Sequence, residues 1–221
     1  MPTKWIDISV PVRNGMVHWP GDPAYHLNRI RDFANGDSHV LSEMSLGVHT
    51  GTHMDAPLHF VRGGATIDQI PLDATVGEAR VIEIADPESV KPAELEGAGI
   101  RAGERILFKT INSTVAWRTE HFHKDFVYIS REAAAFLVSA GIRSVGIDYL
   151  SIGGFYKDGL ETHRALLGAG IWVIEGLNLS AVSPGPCDLI CLPLKLVDAE
   201  GAPARAIVRP INGTNDAGAR I

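Results

Sequence analysis

Between Val127 and Glu175 short β-branched runs alternate with helical stretches, and that order leaves few ways for the chain to fold. Val127-Tyr-Ile129 reads as a strand. Ser130 is placed to cap a helix running to about Ala140, with Gly141 as its C-terminal stop. Ser144 to Asp148 is a second strand, a helix follows around Glu161 to Leu167, and Ile171 to Glu175 is a third strand. Strands separated by single helices imply parallel pairing with right-handed crossovers. Upstream, Trp5 to Val10, Ala79 to Ile84 and Arg105 to Thr110 read as further strands. Val40 to Val48 puts Val40, Met44, Leu46 and Val48 on one face, which predicts a half-buried strand. Leu189 to Val197 and Ala206 to Ile211 look like strands with no helix between them. The expectation is an α/β fold, a mixed sheet with flanking helices. No linker interrupts it, so one domain is expected over residues 1–221.

Composition excludes several functions for such a fold. The 20 basic and 26 acidic residues give a formal charge of -6, and no cluster of Lys and Arg offers a footprint for nucleic acid. No run of apolar residues is long enough for a membrane span. The segment Met1-Pro-Thr-Lys-Trp-Ile-Asp7 lacks the apolar core of a signal peptide, so a cytoplasmic protein is expected. The two cysteines, Cys187 and Cys191, lie four apart in an apolar run. In a strand they would be roughly 13 Å apart, beyond disulfide reach, and they read as buried free thiols.

The chemistry concentrates in His49-Thr-Gly-Thr-His-Met-Asp-Ala-Pro-Leu-His59. Nine histidines in this chain would put about half of one in an eleven-residue window by chance, yet this window holds three, plus Asp55. The separations of His53, Asp55 and His59 from His49 are all even, so in an extended segment all four side chains point the same way. Imidazoles and a carboxylate converging on one face suit a borderline metal ion. Gly51 would leave room for the backbone beside the ion, and Pro57 would end the strand before His59.

This motif resembles the signature of the metal-dependent cyclase-like hydrolases, the family of bacterial kynurenine formamidases and isatin hydrolases. Trp19-Pro-Gly-Asp-Pro23, Gly146-Ile-Asp-Tyr-Leu-Ser151 and the run from His163 through Glu175 to Asn178 fit it as well, so the likeness extends from about Trp5 to Pro210. The resemblance implies a swivelling β/β/α-type fold, a homo-oligomer (dimer or tetramer) and a divalent metal site. It assigns His49, His53 and Asp55 to a first metal. Asp55 would bridge to a second, completed by His163 and Glu175, and His59 would shuttle protons. Zinc is the expected ion; Mn, Co and Fe suit the same ligands. Trp19 matches a position that contacts an aromatic substrate in the formamidases. The implied activity is hydrolysis of an amide C–N bond in a small molecule, most like an arylformamidase of tryptophan catabolism acting on N-formylkynurenine. Hydrolysis of a cyclic amide, as in isatin hydrolase, is one alternative, and a metal-bound structural or ligand-binding protein is another.

Residue chemistry supports a hydrolase independently. A divalent metal lowers the pKa of a water on it from 15.7 to about 7, so no side-chain nucleophile is needed, and the chain has no G-x-S-x-G elbow. His59, with an ordinary pKa near 6.5, is suited to proton transfer. Glu175 falls at the C-terminal end of an expected parallel strand, where ligand-binding residues collect in open α/β sheets. Asp148 also ends a strand and fits a ligand-orienting role, a helix cap or a turn contact equally. Residues 111–122 are candidates to line the pocket. His121 and His123 read as surface loop, and Lys109 acquires no task.

Overall fold

A computed structural model of the protein describes residues 4–211. Residues 1–3 and 212–221 of the expected domain, with the first part of the segment read for a signal peptide, lie outside the described residues. In chain order the strands are β1 (Ile6–Asp7), β2 (His26–Arg31), β3 (Leu41–Ser45), β4 (His53–Asp55), β5 (Val76–Glu83), β6 (Ser89–Val90), β7 (Arg105–Lys109), β8 (Tyr128–Ile129), β9 (Ser144–Ile147), β10 (Trp172–Glu175), β11 (Gly185–Pro193) and β12 (Gly201–Pro210). The helices are α1 (Leu72–Thr75), α2 (Pro92–Glu96), α3 (Asn112–Val115), α4 (Arg131–Ala140) and α5 (Gly159–Gly168).

Eight strands form one mixed sheet in the order β1-β12-β11-β5-β7-β9-β10-β4, and β4 pairs in addition with β12. The sheet thereby closes on itself through β4. Its middle, β5-β7-β9-β10, is parallel, and β11, β12 and β4 are antiparallel to their neighbours. Strand alternation then sorts side chains into two layers. Met54, Leu107, Ile174, Leu189 and Val208 share one cluster that fills the inside of the closed sheet, together with Cys187 and Cys191. Phe108, Val145, Ile147 and Val173 face the other way, onto Leu137 of α4 and Leu166 of α5. Both thiols are buried and free, as expected, and burial pushes each up to about 12.

Helix α4 starts and stops where its sequence signals predict. The Ser130 hydroxyl accepts from the Ala133 N–H at 3.1 Å, and Gly141 ends the helix in the left-handed region at φ 68°. Three expectations need correction. Strand β8 is not a neighbour of β9: it pairs with β6 in a separate two-stranded sheet, because β7 and β10 already occupy both edges of β9. The segment around Met44 is not half-buried: β2 and β3 form an isolated ribbon on which every residue is exposed, Met44 by 60%. Its alternation was real, but no second layer covers it among the described residues. Finally, β11 and β12 begin four to five residues earlier than expected, since both strands contain a proline near the start, Pro186 and Pro203, where a sequence reading places a break. No helix among the described residues is long and apolar enough to cross a membrane.

Candidate active site

Strand β4 has only three residues, but both its edges are paired and all three side chains are buried. Met54 points into the closed sheet, so His53 and Asp55 point outward together. The antiparallel register of β10 sets Glu175 directly opposite His53. Helix α5 crosses over from β9 to β10 and lowers His163 onto the same spot. These four residues therefore meet because of one strand parity, one register and one crossover.

His49 and His59 arrive differently, and here the expectation of a single extended segment fails. His49 lies in a turn before β4, and His59 ends a short 3₁₀ helix, Pro57–His59, that Pro57 begins. Their even spacing does not place them; the turns do. Gly51 sits in that turn at φ 65°, and a Cβ there would meet Val12, Met16 and Val10. It serves the turn and the packing, and does not make room beside an ion. Room for the His49 ring comes from Gly201 instead, where a Cβ would stand 2.9 Å from the His49 Cε1.

Five residues converge on Asp55. His49 Nδ1 lies 2.8 Å from Asp55 Oδ1, and His53 Nε2 lies 3.4 Å from the same oxygen and 3.2 Å from Glu175 Oε2. His163 Nε2 is 3.2 Å from Glu175 Oε1 and 3.9 Å from Asp55 Oδ2. His59 stacks on His49 with ring centroids 4.0 Å apart. Ligand atoms of His49, Asp55 and His59 lie within 4.8 Å of one another, as do those of His53, Asp55 and Glu175. Asp55 belongs to both groups. The grouping differs from the expected one in placing His59 beside His49 and leaving His53 with Glu175.

Backbone contacts fix which imidazole nitrogen faces inward. The His53 Nδ1 is held by the Gly51 carbonyl at 2.9 Å and the His163 Nδ1 by the Gly159 carbonyl at 2.5 Å, so in both rings Nε2 is left for the cluster. His49 Nε2, His53 Nε2 and Asp55 Oδ2 are buried without a hydrogen-bond partner. Orphaned polar atoms of this kind are costly unless something else satisfies them. Electrostatics tells the same story. Burial acts to lower the His53 pKa, yet Asp55 and Glu175 outweigh it and raise it to about 10. His163 is raised, against its burial, by Glu175 and Asp55. Burial acts to raise Asp55, but His49 and His53 hold it well below the usual carboxylate range. Two buried carboxylates thus draw positive charge to the cluster, and this donor set of nitrogen and oxygen atoms fits a divalent cation. His59 goes the other way, lowered by burial.

The cluster floors a cleft of about 470 Å³ whose walls include Trp19, Phe60, Leu150, Phe155 and Leu160. Trp19 is half-buried and does two jobs: its ring packs on Phe122 and Phe155, with centroids 5.1 and 5.4 Å away, while lining the cleft. Of residues 111–122, Phe122 is in ring contact with Trp19, and Ala116 and Trp117 belong to the same apolar cluster; none of the segment lines the cleft. Asp148 is buried and makes turn contacts. Its carboxylate accepts from the Thr110 N–H and hydroxyl, both at 2.8 Å, and from the Ser113 N–H at 3.0 Å. Lys109 donates to the Val182 carbonyl at 2.9 Å. His121 is exposed as expected, but His123 is half-buried, with its N–H against the Tyr149 hydroxyl. Sequence reasoning missed Phe60, Phe155 and Glu200 in the lining. Phe60 was signalled by its place beside His59, whereas Phe155 and Glu200 arrive from loops with no local mark.

Comparison with known proteins fits this geometry. Residues 6–153 match the model of the Cyclase family, described as "putative cyclase". The kynurenine formamidase of Bacillus cereus is 35% identical over 209 residues, covering 95% of this chain and 99% of that protein. The structure of a protein described as a predicted metal-dependent hydrolase, from Bacillus stearothermophilus, superposes with a TM-score of 0.82 at 34% identity, over 94% of this chain and 98% of that one. Isatin hydrolase A from Labrenzia aggregata shares the fold, with a TM-score of 0.81 over 93% of each chain at 23% identity.

Proposed function

The chain belongs to the Cyclase family and is a metal-dependent amide hydrolase, and we propose that its substrate is an N-formylated arylamine of the N-formylkynurenine type. The observation that carries this reading is the cluster itself: two buried carboxylates and four histidines at the floor of a cleft walled by aromatic rings. A kynurenine formamidase at 35% identity over nearly the whole chain supports the choice of substrate.

In this reading His49, His53 and Asp55 would hold one divalent ion, and Asp55, His163 and Glu175 would hold a second. Zinc is the ion proposed. When bound, such ions polarise a carbonyl and lower the pKa of water toward about 7. The chain's own residues do the rest. Trp19 and Phe155 orient the aryl ring, so that the formamide is presented to the floor of the cleft. The His59 imidazole takes a proton from the attacking water and delivers it to the departing nitrogen. Water adds to the formyl carbon, the C–N bond breaks, and the products are the arylamine and formate. Copies of the chain associate into a homo-oligomer, a reading supported by the exposed Leu27, Ile30, Phe33, Leu41 and Met44 on and beside the β2–β3 ribbon.

The test is hydrolysis of formanilide and N-formylkynurenine by metal-replete protein, before and after chelation. Cleavage of both that chelation abolishes and Zn restores is the expected outcome. Inertness toward both formyl-anilides in a metal-replete protein would overturn the substrate reading.

A further inference from the structure

The cleft carries a charge bias that the hydrolytic reading does not use. Apart from the residues of the cluster, the charged side chains lining it are Asp22 and Glu200; among the described residues no lysine or arginine lines it. Both acids are held there by local structure. Asp22 closes the Trp19-Pro-Gly-Asp turn, its N–H donating to the Trp19 carbonyl at 3.1 Å, with Gly21 at φ 99°. One turn thus presents an aromatic ring and a carboxylate to the same cleft. Glu200 precedes β12, where its carbonyl accepts from the Ala56 N–H at 2.8 Å. Its carboxylate reaches to 3.8 Å from His49 Nε2 and stays 43% exposed. Among the described residues neither acid is paired with a lysine or arginine. Lys124 stands over the Phe155 ring at 5.1 Å, but it lines a separate hollow with Glu88 and Lys157.

We propose that Asp22 and Glu200 select for substrates whose aryl ring carries a cationic arm, and against those whose arm is anionic. This rests on the formyl-arylamine reading above. With the formamide at the histidine floor and the ring against Trp19 and Phe155, the ring's substituent lies in the cleft that Asp22, on the Trp19 turn, and Glu200, beside His49, both line. An ammonium group there is drawn by the carboxylates that line the cleft and by the faces of its aromatic rings. A carboxylate there meets like charges, and a like-charge approach is how a site rejects a competitor. Because Asp22 is exposed, salt should weaken the discrimination.

Three substrates of similar shape test it: 4-(2-aminoethyl)formanilide, 4-ethylformanilide and 3-(4-formamidophenyl)propanoate. Their kcat/KM values should fall in that order, by roughly tenfold per unit of charge at low salt. Asp22→Asn with Glu200→Gln should shrink the cation-to-anion ratio toward one, and Asp22→Asn alone should shrink it part of the way. The matching anilines, measured as ligands by calorimetry, should show the same order of affinity. That arm separates the two readings. If the neutral formanilide is not cleaved, the substrate reading fails, while the order of the anilines still decides the charge preference. Equal affinity for the three anilines, a preference for the anionic one, or a ratio untouched by the double substitution would overturn the inference.

Discussion

The two faces of β4 and β10 differ completely although they belong to the same seven residues. Inward, Met54 and Ile174 join an apolar cluster that also encloses two thiols. Outward, His53, Asp55 and Glu175 form a buried polar cluster whose members are incompletely satisfied. The inner face stabilises; the outer face is held in an arrangement that costs stability unless a cation completes it. Period-two alternation is what allows both on one strand, and pairing on both edges of β4 is what makes the outer face rigid.

Substitutions on the two faces should therefore fail in different ways. The largest loss of activity is expected from His53→Ala. It should lower bound metal and abolish hydrolysis, exceeding the 10²–10⁴-fold of a positioned acid–base group, while the circular dichroism spectrum stays that of the native fold. Full metal content in this variant would remove His53 from the site. His59→Asn comes next, with metal content retained and kcat lower by on the order of 10²–10⁴. Metal lost together with activity would instead make His59 a ligand, consistent with its place beside His49 and Asp55. On the inner face, Met54→Ala should lower unfolding free energy by about 2–5 kcal/mol, as for other large-to-small core changes, and leave the metal-to-chain ratio unaltered. A denaturant titration beside elemental analysis decides whether the faces separate in this way.

Smaller effects sharpen the contrast. Trp19→Ala should cost roughly 0.5–1.5 kcal/mol of aryl binding beyond lost area, seen as a higher KM for formanilides than for small aliphatic formamides. An equal change for both would make Trp19 a packing residue of the cleft wall.

How much of this was legible in the sequence follows from the range of the interactions involved. His53 and Asp55 share a face by strand parity, a local property, and Glu175 ends a strand that its own residues announce. The Ser130 cap and the Gly141 stop are likewise local. His49 and His59 were found for a reason that proved wrong, because even spacing counts only within one continuous strand and the chain turns on both sides of β4. The closure of the sheet depends on β4 reaching β10 and β12, 118 to 150 residues away from the pair Asp55–Val173 to the pair His53–Pro203, and no local pattern encodes it. Strand β3 is expected from the sequence, but its pairing with β2 and its exposure are not, for a related reason. A long connection, 32–40, separates β2 from β3 where a tight hairpin turn would have marked them, and the apolar alternation of β3 says nothing about whether a layer covers it.

The proposed function requires the outer face of β4 and β10, with α5 and the two flanking turns, to hold two ions that share Asp55. Elemental analysis of metal-replete protein, set beside that of Glu175→Gln, tests it most directly. A wild-type ratio near two per chain, falling toward one in the variant, is the expected result; a wild-type ratio of one, unchanged by Glu175→Gln, would contradict it.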